Sequence, residues 1–394
     1  LSREAPESIA WLRGLEGEMA DLAATLASME SPTLDPEAQE PVRLLLESEL
    51  AALGFEVTRI PGAGGCDHLL AEMPGDGPSQ LLLGHFDTVW PTGTLRTMPV
   101  ERRDGCLHGP GVFDMKGGLV QMLYALRTVA DGGREMPCRP MVLLNCDEEM
   151  GSPDSRRHIE TLARRAARAF VMEPSYGPDG DLKTGRKGVA RFTLRVTGVA
   201  SHAGLDPGSG ASAILELSQQ VERLFALNDS NRGITVNVGT IDGGMRPNIV
   251  APEASAEIEA RVVTAADAVE VEQAIRGLTN DDERTTLAVE GGFTRPPLEA
   301  TPRNRELWEA ARNAAATLGL QLGEARVGGA SDGNFASSHT ATLDGLGAVG
   351  DGAHASHEHL VMARMPERAA LLAELLCLPA PRQGEGAGDR GPER

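Results

Sequence analysis

Five short stretches carry residue types that could do chemistry together. Gly84-His85-Phe86-Asp87-Thr88 follows the apolar run Leu81-Leu82-Leu83. If that run is a strand, His85 and Asp87 share a side, because alternate residues point the same way. A metal-bound imidazole commonly gives its second N–H to a carboxylate, so His-x-Asp supplies a ligand and its support locally. In His108-Gly109-Pro110-Gly111-Val112-Phe113-Asp114-Met115-Lys116-Gly117-Gly118, Asp114 stands just before a helix, either as its N-cap or as a site carboxylate. The glycines around it suit tight backbone packing under both readings. Asn145-Cys146-Asp147-Glu148-Glu149 puts three adjacent acids at the end of another apolar run. Their repulsion is costly unless cations or hydrogen bonds offset it. Neighbouring glutamates can divide labour, one binding a metal and the other reaching an activated water. Met172-Glu173-Pro174-Ser175 and Gly352-Ala353-His354-Ala355-Ser356-His357-Glu358 complete the set.

Each stretch alone is ordinary: a histidine after a strand is more often structural, and an acidic turn is often only solvated. In series they place His, Asp, Glu, Glu and His after successive apolar runs. Ligands of open α/β sheets gather at the carboxyl ends of strands. Two imidazoles and three carboxylates suit divalent ions, zinc foremost.

The elements that must position these residues follow from periodicity. Short apolar runs at 68–72, 80–86, 141–147 and 169–173 read as buried strands of a mostly parallel sheet. Helical spacing covers 7–30, a stretch from the Asp35-Pro36 cap to Gly54, 116–130, the stretch after Thr301-Pro302, and 366–377. The segment 187–296 differs. In 188–198, Phe192, Leu194 and Val196 alternate with Arg191, Thr193 and Arg195. A helix (212–226), strands at 234–241 and 255–263, a helix at 267–278 and a strand at 285–291 give the order βαββαβ, the ferredoxin-like split motif. The reading is a catalytic domain in two parts (1–186 and 297–379), an inserted lid (187–296) and a disordered Gly/Pro/charge-rich tail (380–394). The strand 188–198 is expected at an edge of the lid sheet, where an unpaired ladder invites a second chain.

Composition bounds the partners. The 394 residues carry 37 basic and 57 acidic side chains, a net charge of −20, which excludes a nucleic-acid partner. With 41% hydrophobic residues but 3% aromatics, Leu, Val, Ala and Ile must fill the core. No apolar run approaches the ~20 residues of a membrane span. Five scattered cysteines without a CxxC pair read as free thiols in a reducing compartment, hence the cytoplasm. The start Leu-Ser-Arg-Glu lacks signal-peptide character but also an initiator methionine, so a removed leader and a periplasmic location stay open.

The stretches GHFDTVWPTGTL, GPGVFDMKGG, NCDEEMGS, MEPS, GVASHAG and GGASDGNFA, in this order, resemble the zinc-dependent aminoacylase/carboxypeptidase family. That family includes bacterial glutamate carboxypeptidase, acetylornithine deacetylase and succinyl-diaminopimelate desuccinylase. The resemblance runs from about residue 15 to 378 and is nearest to the glutamate carboxypeptidase branch. It implies a zinc-exopeptidase α/β domain interrupted by a dimerisation lid. It implies two Zn²⁺ per chain, with Co²⁺ or Mn²⁺ as substitutes, held by His85, Asp114, Glu149, Glu173 and His354, with Asp114 between them. His357 and His359 lie close to the last of these. Glu148 would be the general base and Asp87 the support of His85. The Asp114–Met115 peptide would be cis. From the lid, His202 in Ala200-Ser201-His202-Ala203-Gly204 would reach the partner subunit's active site, and Asn248 would act similarly. Arg261 and the backbone of Gly328-Gly329-Ala330-Ser331-Asp332 would hold a substrate carboxylate; here serine replaces the commoner threonine of that loop. The activity implied is hydrolysis of an amide bond next to a free carboxylate, in an N-acyl amino acid or short peptide. A deacylase of N-acetyl or N-succinyl amino acids keeps the chemistry and changes the substrate. A non-catalytic metal-binding interaction protein is the reading from another class. Five ligands plus Glu148 argue against it.

Overall fold

The computed structural model describes residues 5–381. The expected disordered tail lies outside the described residues from position 382 onward.

The central sheet has six strands. In spatial order they are β1 (Glu56–Ile60), β2 (His68–Glu72), β6 (Arg139–Asn145), β3 (Ser79–His85), β7 (Ala166–Val171) and β14 (Ala341–Leu343). β6, β3, β7 and β14 run parallel; at one edge β2 runs antiparallel to β6, and β1 antiparallel to β2. Leu81, Leu82 and Leu83 are all buried, because helices cover both faces. One face packs against α1 (Ala5–Gly14), α2 (Glu16–Ala27), α3 (Pro36–Ala52), α4 (Gly117–Asp131), α8 (Pro302–Thr317) and α10 (Met365–Leu376). The other packs against α5 (Arg156–Arg165) and α9 (Asp332–Ser337). The single helix expected over 7–30 is two helices that part at Leu15. Asp35 caps α3 by accepting from the Ala38 N–H, and Thr301 caps α8 through the Asn304 N–H.

Two small sheets flank this core. β4 (Glu101–Arg103), β5 (Cys106–His108), β16 (His359–Val361) and β15 (Gly350–Asp351) bring the segment around His354 beside that around Asp114. β8 (Leu182–Arg186) pairs with β13 (Glu324–Val327).

The lid is a separate four-stranded antiparallel sheet with its own core. β9 (Gly188–Thr197), α6 (Ala213–Phe225), β10 (Thr235–Gly243), β11 (Glu253–Val262), α7 (Ala265–Arg276) and β12 (Thr286–Arg295) follow the βαββαβ order. Phe192, Leu194 and Val196 pack against Leu217, Leu224, Val271 and Ile275. Arg191 and Arg195 face solvent, as the alternation predicts. The strand order is β10-β11-β9-β12. The expectation that 188–198 forms an edge is therefore wrong: β9 is paired on both sides, by β11 and β12. Alternation tells which face is buried, not which neighbours a strand has. The edges are β10 and β12.

Candidate metal centre

The carboxyl ends of the parallel strands converge on one place. His85 is the last residue of β3, Glu148 and Glu149 lie just beyond β6, and Glu173 just beyond β7. Asp114 sits in the turn before α4, and His354 in the loop after β15. His85 Nε2 lies 3.3 Å from Asp114 Oδ1 and 3.6 Å from Glu173 Oε1. His354 Nε2 lies 3.0 Å from Glu149 Oε2 and 3.5 Å from Asp114 Oδ2. Asp114 thus stands between the two imidazoles, one oxygen toward each, and its carboxylate does not cap α4. His357 and His359 make neither contact. His359 instead packs its ring 5.1 Å from that of His108.

Local backbone requirements explain the glycines. Gly111 has φ +73°, and a Cβ there would meet Thr88 Cγ2 at 2.6 Å. A Cβ on Gly118 would collide with the Met172 carbonyl, so glycine lets α4 approach the strand end that carries Glu173. The Asp114–Met115 peptide is cis.

Buried partners hold the acids in place. The His85 ring meets the Asp87 carbonyl at 3.0 Å and its carboxylate only at 3.5 Å. That carboxylate mainly holds the neighbouring turn, accepting the N–H groups of Glu148 and Glu149 together with the Thr33 hydroxyl. Glu358 accepts four N–H bonds, from Trp90, Gly111, Phe113 and Asp114, and so anchors the Asp114 turn. Arg186 donates to Glu173, Asp344 and the Gly329 carbonyl. Arg295 donates to Glu148 and Asp332. Sequence reasoning missed both arginines. Neither lies in a motif; Arg186 precedes the lid and Arg295 ends it.

Charge in the cluster follows from these contacts. Burial disfavours a charged His85, but its bonds to Asp114, Asp87 and Glu173 outweigh that and hold its pKa well above the ordinary imidazole value. The contact with Glu149 raises His354 to about 9. Burial pushes Glu148 well above the carboxylate range, against the pull of Arg295. Burial also raises Glu149, partly offset by His354. Desolvation also acts on the half-buried Asp114 and the buried Glu173, yet both are lowered, with the His85 bond acting on each.

The donor set fits a divalent ion. One group of ligand atoms comprises His85, Glu148 and Glu173, and another His85, Asp114 and Glu149, each mutually within 4.8 Å. Glu149 Oε1 is buried with no hydrogen-bond partner among the described residues, an acceptor that a cation would satisfy. A cavity of about 970 Å³ opens on Asp114, Glu173 and His354. Gly329 and Lys183 line its wall. Lys183, also missed in the sequence, has no side-chain partner among the described residues, and burial lowers its pKa to about 8.

The lid residues stand apart. His202 Nδ1 accepts the N–H groups of Gly204 and Leu205, which leaves Nε2 protonated, on an exposed side chain. Asn248 is its neighbour, with the Asn248 carbonyl bonded to the Ala203 N–H. Neither lines the cavity. Arg261 donates to Glu259 and to the Gly328 carbonyl, and so touches the expected carboxylate loop from the lid side. Ser331 in that loop spends its hydroxyl on capping α9 and on Asp344.

Carboxylates and imidazoles at strand ends, beside a lid, define a metal-dependent hydrolase of the α/β exopeptidase type. The model of peptidase family M20/M25/M40 matches residues 81–377, and the chain belongs to this family of metal-dependent peptidases and amidohydrolases. It is 30% identical over 362 residues to carboxypeptidase G2 of Pseudomonas sp. (strain RS-16), covering 89% of this chain and 86% of that one. It is 28% identical over 367 residues to the succinyl-diaminopimelate desuccinylase of Gluconacetobacter diazotrophicus, covering 86% and 92%. The solved aminopeptidase PepT of Bacillus cereus superposes with a TM-score of 0.76 at 22% identity, over 92% and 98% of the two chains. No helix among the described residues is long and apolar enough to cross a membrane.

Proposed function

We propose that the chain is a di-zinc hydrolase of the carboxypeptidase type, which cleaves the amide bond of an N-acyl amino acid or a C-terminal residue. The convergence of His85, Asp114, Glu149, Glu173 and His354, with Asp114 facing both imidazoles, carries the reading. His85 and Glu173 would hold one ion, His354 and Glu149 the other, and Asp114 both. The ions would supply Lewis-acid polarisation and activation of water at neutral pH.

The chain's own groups would do the rest. Glu148 takes a proton from the attacking water and returns it to the leaving nitrogen. A buried carboxyl with a raised pKa suits both transfers. His202, with its proton on Nε2, donates to the oxyanion that develops in the transition state. Arg261 and the Gly329 loop hold the α-carboxylate of the leaving residue, which would restrict cleavage to chain ends.

His202 is exposed and does not line the cavity of its own chain, which supports its acting in a second copy. The homodimer would form through the lid. The β10 edge, with Ile241 61% exposed and Met245 just beyond it 72% exposed, is the surface that favours it. Five free thiols suit a cytoplasmic setting.

Desuccinylase relatives favour a second reading, removal of an N-succinyl or N-acetyl group from an amino acid. A panel of N-acyl amino acids and dipeptides, each paired with its C-terminal amide, tests the proposal by amine release with and without zinc. Zinc-dependent release confined to the free acids is expected. Equal cleavage of acids and amides would remove the carboxypeptidase reading.

A further inference from the structure

Arg295 ends β12, where it pairs with Val189, and the chain then leaves the lid through Pro296 and Pro297. Leu298 pairs with Arg186, the residue just before the lid begins. Arg295 therefore belongs by backbone to the lid and stands at the crossing. Its side chain goes the other way, into the catalytic domain, and is buried.

There the guanidinium is fixed from several directions. Nη1 donates to Asp332 Oδ1 at 2.9 Å. Nη2 donates to Glu148 Oε1 at 2.8 Å, to the Glu148 carbonyl at 3.2 Å and to Ser152 Oγ at 3.1 Å. Its carbon lies 5.0 Å from the centroid of the Phe335 ring. Asp332 is itself held by Asn145 Nδ2 at 2.7 Å and by the Ser152 hydroxyl. By contrast, the Glu148 carboxylate has no other hydrogen-bonding side chain among the described residues. A glutamate has freely rotating bonds, so a single bond at 2.8 Å to a fixed partner selects its direction. It engages Oε1 and leaves Oε2 without a hydrogen-bond donor among the described residues.

We propose that Arg295 is a positioning residue: it aims Glu148 and, being part of the lid, ties the lid's angle to the aim of the base. Rotation of the lid about the two crossing segments displaces the arginine, so the base is correctly set only over a narrow range of lid positions. Substrate binding that draws the lid to that range assembles the base with it. This rests on Glu148 being the base, as proposed above.

The test compares Arg295→Ala and Arg295→Lys with the parent zinc-loaded chain, using an N-acyl amino acid that the parent cleaves. Arg295→Ala is expected to lower kcat at least ~100-fold with KM within about threefold and zinc content unchanged. Guanidinium chloride at low millimolar concentration should raise kcat of Arg295→Ala at least tenfold, but not that of the parent or of the Glu148→Gln/Arg295→Ala pair. Arg295→Lys keeps the charge without the fork geometry and should lose kcat as well, which covers the case in which the alanine variant does not fold. A lid-to-core distance measured by spin labels should broaden in either variant, with no turnover needed. A rise in KM at full kcat would mean that Arg295 binds substrate instead, and overturns the proposal. So would a kcat within threefold of the parent, or an unchanged distance distribution. If Glu148→Gln alone keeps activity, the base assignment has failed, and the distance measurement then decides the lid tie by itself.

Discussion

Replacing Glu358 by Gln should loosen the Asp114 turn by several kcal/mol. Each carboxylate oxygen serves two donors: Oε2 accepts from Trp90 Nε1 at 2.8 Å and Gly111 N at 2.9 Å, and Oε1 from Phe113 N at 3.0 Å and Asp114 N at 3.1 Å. A glutamine keeps one oxygen. Whichever way its amide turns, an NH₂ faces two N–H donors that have lost their acceptor. The side chain is 1% exposed, so water does not compensate. Two unsatisfied buried donors cost about 1–3 kcal/mol each, or ~2–6 kcal/mol together. Urea unfolding of the zinc-free protein would read this as a lower midpoint at unchanged slope. Zinc titration would read the same displacement as weaker binding, because either orientation of the amide leaves at least one unsatisfied N–H in the turn that carries Asp114. A loss below about 1 kcal/mol would refute the assignment of Glu358 as the anchor of that turn.

Three further outcomes follow from the same contacts. Asp114→Ala should lose at least one metal ion per chain, since Asp114 faces both imidazoles; elemental analysis that still finds both ions would count against a bridging role. Glu216 in the lid is buried and accepts from Asp281 N, Asp282 N, Gln220 and Thr285. Burial alone would raise its pKa, but these bonds outweigh it and the net shift is downward, so its stabilisation is present above the ordinary carboxylate value and lost as pH falls through the folded one. Glu216→Gln should therefore cost ~2 kcal/mol near neutrality and progressively less below about pH 4.5; a cost independent of pH contradicts this. Mixing Glu148→Gln with His202→Ala chains should restore about a quarter of parent activity after random subunit exchange, because one site of each heterodimer regains both groups. Exchange without recovery would confine His202 to its own chain or to no role.

The candidate site is readable in the sequence because each member ends a strand or opens a turn within a short motif, where type and spacing are local. His85, Asp114, Glu148, Glu149, Glu173 and His354 all lie in such motifs. The residues that hold them do not. Arg295 lies 147 residues from Glu148, and Glu358 247 residues from Gly111. No periodicity connects such pairs; only the folded sheet does. Asp87 illustrates the middle case. Its nearness to His85 is apparent from spacing, but its hold on the Glu148–Glu149 turn depends on the pairing of β3 with β6. The lid shows the same limit. The βαββαβ order and the buried face of β9 follow from alternation, whereas the neighbours of β9 do not, so an interior strand reads as an edge.

Whether Glu148 is the base of a metal centre is tested most directly by Glu148→Gln, with bound zinc and turnover measured on the same preparation. Two zinc ions per chain are expected in both proteins, with a fall in kcat of at least ~10²-fold, since the amide keeps the shape but cannot take a proton. Turnover within tenfold of the parent, with zinc retained, would contradict that role.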